Sequence, residues 1–162
     1  MIVISDTSPI SNFFKINQLL ILQKVYDTLI IPAEVYEELK ELSNFGLNPD
    51  EIFYQPWIEI KSTFLTPFFF APEEKIHLGE AAAISLAMEL QADYILIDDR
   101  KGQLLAIKHR LNPIGTLGTL KIAKEKGIIA EVKDVLGQMI SDANYWLSKE
   151  LYTEFLKNCN EL

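Results

Sequence analysis

Short apolar runs alternate along the chain with longer segments in which apolar residues recur at helical spacing. The clearest runs are residues 2–5, 29–31 and 94–97, and further strands are expected at 57–61 and, more briefly, at 113–115. A strand that is apolar on both faces is typical of a parallel sheet that helices cover on each side. The alternation therefore predicts an α/β fold with a mainly parallel central sheet.

The segments between these runs predict helices, the first of which begins just after Asp6. Ser8 can cap this helix, Pro9 suits its first turn, and the helix is expected to end near Tyr26. Further helices are expected near residues 33–42, 79–91, 100–111, from about 117, 132–143 and 149–159. With no repeat or linker between them, the sequence predicts one domain over 1–162, with an irregular insertion at 43–78 and a helical C-terminal extension at 132–162.

Length and composition narrow the class of protein. The 162 residues are 49% hydrophobic, which suits one domain with a sizeable core. No stretch reaches the roughly 18–20 apolar residues of a membrane helix, and the first residues lack the basic region of a secretory signal. Cys159 is the only cysteine, so an internal disulfide or a cysteine zinc site is excluded. We therefore expect a cytoplasmic protein without a membrane partner.

The net charge of −8 hides an uneven distribution. Residues 100–126 contain seven basic residues and one acidic residue, whereas the remainder contains 8 basic and 22 acidic residues. A local basic surface can bind phosphates on an acidic molecule, because salt screening limits the reach of each charge to about 10 Å. Charge alone leaves two readings open, a phosphate-binding surface and ordinary solvated helices.

Acidic residues follow two of the predicted strands. Asp6 comes directly after the first run, and Asp98 and Asp99 follow the run at 94–97. Parallel strands end at the same edge of a sheet, where α/β proteins bind their ligands. These acids are therefore expected to lie close together, although a single strand-terminal Asp can also cap a helix.

Two further acids lie on helix faces that lean toward the core. Glu38 comes three residues after Val35, and Glu80 shares its predicted face with Ile84. Two carboxylates near 4 Å repel by about 4 kcal/mol at an effective dielectric constant of about 20. Either some of these carboxyls hold protons, or a cation lies among them, and all-oxygen ligands suit Mg²⁺ or Mn²⁺.

Four segments that contain these acids together resemble the PIN-domain family. They are Ser5-Asp6-Thr7-Ser8-Pro9, Ile31-Pro32-Ala33-Glu34-Val35-Tyr36-Glu37-Glu38-Leu39, Gly79-Glu80-Ala81-Ala82-Ala83-Ile84-Ser85-Leu86-Ala87 and Leu96-Ile97-Asp98-Asp99-Arg100-Lys101-Gly102. The chain is similar to a prokaryotic branch of uncharacterised PIN-like proteins related to toxin–antitoxin ribonucleases. In that branch a glutamate in a Gly-Glu-Ala-x-Ala segment replaces the usual third aspartate.

The resemblance implies a three-layer α/β/α sandwich and a Mg²⁺- or Mn²⁺-dependent ribonuclease, many relatives of which are toxins of toxin–antitoxin pairs. The catalytic and metal-binding positions that it implies are Asp6, Glu38, Glu80 and Asp99, with Asp98 as an adjacent alternative. Small hydroxyl positions that could orient a ligating acid or a water match Thr7, Ser8 and Thr116.

The chain also departs from the family pattern. Glu80 is one methylene longer than aspartate, the 43–78 segment is longer than in compact toxin relatives, and the extra C-terminal helices also depart from them. We expect RNA phosphates to contact Arg100, Lys101, Lys108 and Arg110, and a small antitoxin or a second copy to be a partner. Two alternatives stay open: a catalytically weak PIN-like module that binds RNA or protein, and a nuclease that acts on DNA.

Two apolar groups have no assigned role. Phe68, Phe69 and Phe70 either cover the sheet or form a binding surface, and the first reading is favoured. Near the C-terminus, Leu151, Tyr152, Phe155 and Leu156 recur at helical spacing, which is typical of a core face but could also serve dimerisation.

Overall fold

A computed structural model describes residues 1–64 and 75–162 and contains one five-stranded sheet. The strands are β1 (Val3–Ser5), β2 (Leu29–Pro32), β3 (Ile58–Lys61), β4 (Tyr94–Leu96) and β5 (Pro113–Ile114). They lie in the order β3-β2-β1-β4-β5, and every pair is parallel. The predicted α/β/α sandwich with a mainly parallel sheet is confirmed.

Helices connect and cover the strands. They are α1 (Thr7–Lys15), α2 (Leu20–Tyr26), α3 (Ala33–Leu39), α4 (Asp50–Phe53), α5 (Leu78–Glu89), α6 (Arg100–Lys108), α7 (Thr116–Glu125), α8 (Val132–Asp142) and α9 (Lys149–Asn158), with a 3₁₀ helix at Lys40–Phe45. None of the described helices is long and apolar enough to cross a membrane.

The first predicted helix is in fact two helices. Asn17 adopts a φ of +57°, a left-handed conformation that asparagine tolerates better than most residues. This conformation interrupts the helix and separates α1 from α2. Asp6, rather than Ser8, occupies the position before the first turn of α1, and Ser8 is exposed within that turn. The prediction of one helix capped by Ser8 was therefore wrong.

Alternate strand residues pack into two cores, one on each face of the sheet. Val3, Leu29 and Leu96 face a core formed with α1, α2, α7, α8 and α9. Ile4 and Ile95 face the opposite core, formed with α5 and α6. The helices predicted as a C-terminal extension thus contribute to the larger core, for example through Leu136 and Leu156.

The segment predicted as an irregular insertion contains regular structure in its described part. Ile58 to Lys61 pair in parallel with Leu29 to Pro32, so β3 is an edge strand of the main sheet. This strand matches the run expected at residues 57–61. The phenylalanines at 68–70 lie outside the described residues.

Candidate active site

Asp6 lies at the carboxyl end of the central strand β1. Its backbone N–H donates to the carbonyl oxygen of Leu96 at 2.9 Å, so the pairing of β1 with β4 continues to this residue. Its side chain is only 5% exposed. Burial raises the pKa of Asp6 to about 7, opposed by the backbone N–H of Thr7 and aided by nearby carboxylates. Those carboxylates belong to Glu80, Glu38 and Asp98.

Glu80 projects from the first turn of α5 and is also buried, at 6% exposed. The pKa of Glu80 is raised to about 7, first by burial and then by the charges of Asp99 and Glu38 and a hydrogen bond with Asp99. Its Oε2 atom is buried and has no hydrogen-bond partner among the described residues. A Cβ at Gly102 would lie 2.9 Å from this oxygen, so a glycine lets the first turn of α6 approach Glu80 closely.

Glu38 lies in the last turn of α3 and reaches across to two other elements. It accepts hydrogen bonds from the hydroxyl of Thr7 and, at 3.0 Å, from the backbone N–H of Gly79. A Cβ at position 79 would lie 2.6 Å from Glu38 Oε1. The Gly79-Glu80 pair therefore has a steric explanation: the glycine admits one carboxylate and its neighbour supplies another.

Asp98 faces α1 and α7. It accepts hydrogen bonds from the backbone N–H of Thr116 at 2.5 Å, from the Thr116 hydroxyl at 2.7 Å and from the side-chain amide of Asn12 at 3.1 Å. Burial raises the pKa of Asp98, while these hydrogen bonds act in the opposite direction. Asn12 is not indicated by the sequence alone, because it lies next to apolar residues in α1 and outside the four segments that resemble the PIN-domain family.

Asp99 faces the other side of the sheet end. It caps α6 through a 3.0 Å hydrogen bond from the backbone N–H of Gly102, and its charge acts on Glu80. Adjacent residues thus serve different parts of one cluster, Asp98 toward Asp6 and Asp99 toward Glu80. The structure places the four predicted acids and Asp98 together at the carboxyl end of β1 and β4, the point where the strand order reverses.

A family model described as a PIN domain matches residues 2–161. The chain belongs to the PIN-domain family. PIN domains are generally nucleases, and they typically use divalent metal ions. No curated protein and no solved structure matches the chain.

The donor set of this PIN domain fits a divalent metal ion. All the clustered side chains are carboxylates, and the unpartnered Oε2 of Glu80 is a buried oxygen that an ion would satisfy. Among the described residues, however, no three His, Cys, Asp or Glu side chains already form a group that could hold a metal. Glu38 accepts hydrogen bonds from Thr7 and Gly79, and Asp99 accepts one from Gly102, so both carboxylates are also engaged by the protein itself.

The hydroxyl residues expected to support the site differ in position. Thr7 donates to Glu38, and Thr116, which is fully buried, donates to Asp98. Ser8 is exposed in the first turn of α1. Two of the three expected residues therefore hydrogen-bond directly to a carboxylate of the cluster.

The basic residues expected to contact RNA do not all lie beside the PIN-domain acids. Arg100 and Lys101 are exposed in the first turn of α6, next to Asp99. Lys108 ends the same helix about 12 Å further along its axis, and Arg110 follows it. Within the 100–126 segment, moreover, Lys124 forms an ion pair with the Glu161 carboxylate at 2.7 Å. Of these basic residues, Arg100 and Lys101 are therefore the ones placed beside Asp99.

Proposed function

We propose that this PIN domain is a Mg²⁺- or Mn²⁺-dependent endoribonuclease that hydrolyses RNA phosphodiester bonds. The observation that supports this most directly is the joint burial of Asp6 and Glu80. Both groups have a pKa of about 7, and the described charged side chains that raise these pKa values are all carboxylates. A bound cation stabilises such a buried cluster of like charges, and the oxygen donors favour a hard divalent ion.

The proposed roles of the residues follow from their positions. Asp6, Glu38, Glu80 and Asp99 would hold the ion, with Asp98 as a further or alternative ligand kept in place by Thr116 and Asn12. Such an ion would supply positive charge that lowers the pKa of a water molecule and offsets the negative charge that develops on the phosphate. Arg100 and Lys101 would bind phosphates next to the cluster. One carboxylate of the cluster would also accept the proton of the attacking water.

The same proposal includes the biological setting. PIN nucleases bind RNA and often antitoxins. We therefore propose that the protein acts in the cytoplasm as the toxin of a toxin–antitoxin pair, with a small protein as its antitoxin. A homodimer is included in the proposal, since the exposed Leu151 extends the apolar face of α9 beyond the core.

The first test is calorimetric titration with Mn²⁺ of the wild type and of Asp6→Asn, Glu38→Gln and Asp99→Asn. We expect saturable binding in the wild type and at least a tenfold loss of affinity in each variant, together with loss of metal-dependent RNA cleavage. Glu37→Gln is a matched control, because Glu37 is exposed on the same helix as Glu38 and pairs with Lys40. Wild type that binds no Mn²⁺ at millimolar concentration would contradict the proposal.

A second function, a non-catalytic module that binds RNA or protein, is favoured by a different observation. No metal-holding group is already assembled among the described side chains. The two functions are distinguished by measuring RNA binding and metal binding separately. RNA binding that is unchanged by Mn²⁺ and by Asp6→Asn, without any cleavage, would support the module instead of the nuclease.

A further inference from the structure

The connection between α8 and α9 presents an aromatic groove at the surface. The groove has a volume of about 330 Å³ and is lined by Ile140, Tyr145, Trp146, Leu147, Lys149 and Tyr152. Trp146 is 82% exposed, whereas the other tryptophan, Trp57, is 5% exposed and belongs to the core. Tyr145, Leu147 and Tyr152 pack with one side against the larger core, so the groove has a firm floor and Trp146 forms its exposed wall.

The groove is linked to the carboxylate cluster through α1. Ile140 of α8 lines the groove, α8 packs against α1, and the side-chain amide of Asn12 in α1 donates to Asp98 at 3.1 Å. The backbone N–H of Tyr145 donates to the carbonyl oxygen of Met139 at 3.1 Å, which ties the connection to α8.

We propose that this groove binds an unpaired base of single-stranded RNA, stacked on Trp146, while Lys149 contacts an adjacent phosphate. The inference rests on the proposed function, because it assigns a base-binding subsite to the same substrate. An exposed indole is a suitable stacking surface for any base. The positive ammonium group of Lys149 complements the negative charge of the phosphate next to that base. The volume is at the lower end of the roughly 300–1,000 Å³ range of small-ligand pockets.

A second copy of the chain is a weaker candidate for the same groove. A standard protein interface uses about 20–30 residues on each side, whereas six residues line this groove. A flat base needs only one aromatic wall and a floor. Size therefore favours a nucleotide.

Trp146 also provides the means to test the proposal. The chain has two tryptophans, so a Trp57→Phe background leaves Trp146 as the only one. Titration of that variant with a ten-residue oligouridylate in EDTA should quench the indole fluorescence saturably. EDTA prevents metal-dependent cleavage, so the signal reports binding alone.

Affinity is then measured by anisotropy of labelled oligouridylate, which does not depend on tryptophan. We expect Trp146→Ala to weaken binding about tenfold, which is within the range for loss of one stacked base, and Trp146→Phe to retain most of the affinity. Tyr54→Ala is the matched control, since Tyr54 is an 81% exposed aromatic outside the groove, and should leave the affinity unchanged. Lys149→Ala should reduce the slope of log K against log salt by about 0.7, the contribution of one phosphate contact to a single strand.

The outcomes distinguish the proposed base binding in the groove from the proposed nuclease activity. Absence of quenching, or equal affinities of the wild type and Trp146→Ala, contradicts base binding in the groove even if metal-dependent cleavage is intact. A dimer that Trp146→Ala dissociates without RNA also overturns it and assigns the groove to a second copy. Quenching and a Trp146-dependent affinity in a protein that binds no Mn²⁺ support the groove while the proposed nuclease function fails.

Discussion

Two buried carboxyl groups of this site make the stability of the fold depend on pH. Asp6 and Glu80 have ordinary pKa values of 3.8 and 4.5 that rise to about 7 in the folded protein. Between about pH 4 and 7 the folded chain therefore binds more protons at these groups than the unfolded chain does. Their stabilising contribution is complete below about pH 4 and is lost as the pH rises through 7. A site that weakens its own fold at neutral pH is typical of residues kept for binding or catalysis.

This linkage predicts the effect of Glu80→Gln. Because the amide carries no charge to bury, the metal-free variant should be more stable than the wild type by about 2–3 kcal/mol at pH 8. The difference should shrink toward pH 4, where the wild-type carboxyl is protonated in both states. Urea unfolding in EDTA across this range measures it, with Glu37→Gln as an exposed control. A wild type that is the more stable protein at pH 8 would contradict the raised pKa.

Individual residues also mark the limit of the sequence analysis. Asp6, Glu38, Glu80 and Asp99 could be proposed because each lies at a strand end or on a core-facing helix position within a recognised segment. Asn12 could not, since its partners Asp98 and Thr116 are 86 and 104 residues away along the chain. Local patterns contain no information about such contacts.

At the scale of elements, the close approach of α3 and α5 depends on Gly79. The carboxylate of Glu38 occupies the space that a side chain at position 79 would need, with Oε1 2.6 Å from the position of a Cβ. We expect Gly79→Ala to displace Glu38, weaken Mn²⁺ binding at least tenfold and lower the free energy of unfolding by about 1–3 kcal/mol.

Gly137→Ala is the matched control for this variant. Gly137 lies within α8, and a Cβ there meets nothing within 4 Å. This substitution should therefore stabilise the protein by about 0.5–1 kcal/mol, because alanine is the better helix former. Calorimetric titration and denaturant unfolding measure both variants. Equal behaviour of the two alanine variants would show that position 79 is not sterically restricted.

The strands and most helices could be predicted because they follow from apolar periodicity within a short window. The break between α1 and α2 could not, because it depends on one asparagine in a left-handed conformation that no hydrophobic pattern records. The place of β3 at the sheet edge likewise depends on its pairing with β2, which lies far from it in sequence. Element type was thus a local property, and element position was not.

At the scale of the whole molecule, the C-terminal residues connect helices that form the larger core. The Glu161 carboxylate accepts hydrogen bonds from Lys124 Nζ at 2.7 Å and from the backbone N–H groups of Val132 and Lys133 at 2.8 and 2.9 Å. One side chain thus joins the end of α7, the start of α8 and the residues after α9. Burial alone would raise the pKa of Glu161, but these hydrogen bonds outweigh it and lower the pKa.

We expect Glu161→Gln to lower the free energy of unfolding by about 1–3 kcal/mol at pH 7, because Lys124 loses its charged partner. A lowered pKa stabilises the fold above pH 4.5 and ceases to do so as the pH falls through the folded-state value, so the two proteins should converge in acid. Glu154→Gln, on the exposed face of α9, is the control. Thermal unfolding at pH 7 and pH 3 measures both, and an unchanged midpoint for Glu161→Gln at pH 7 would contradict the role.

The two aspartates after β4 have a consequence for how this protein can vary. Consecutive residues at a strand end point to opposite sides, and here each side already has its own receptor, Thr116 for Asp98 and the first turn of α6 for Asp99. Inserting or deleting one residue at this junction would shift the register, so that Asp98 and Asp99 could no longer both meet their partners. The length of the connection from β4 to α6 is therefore fixed by these two sets of hydrogen bonds.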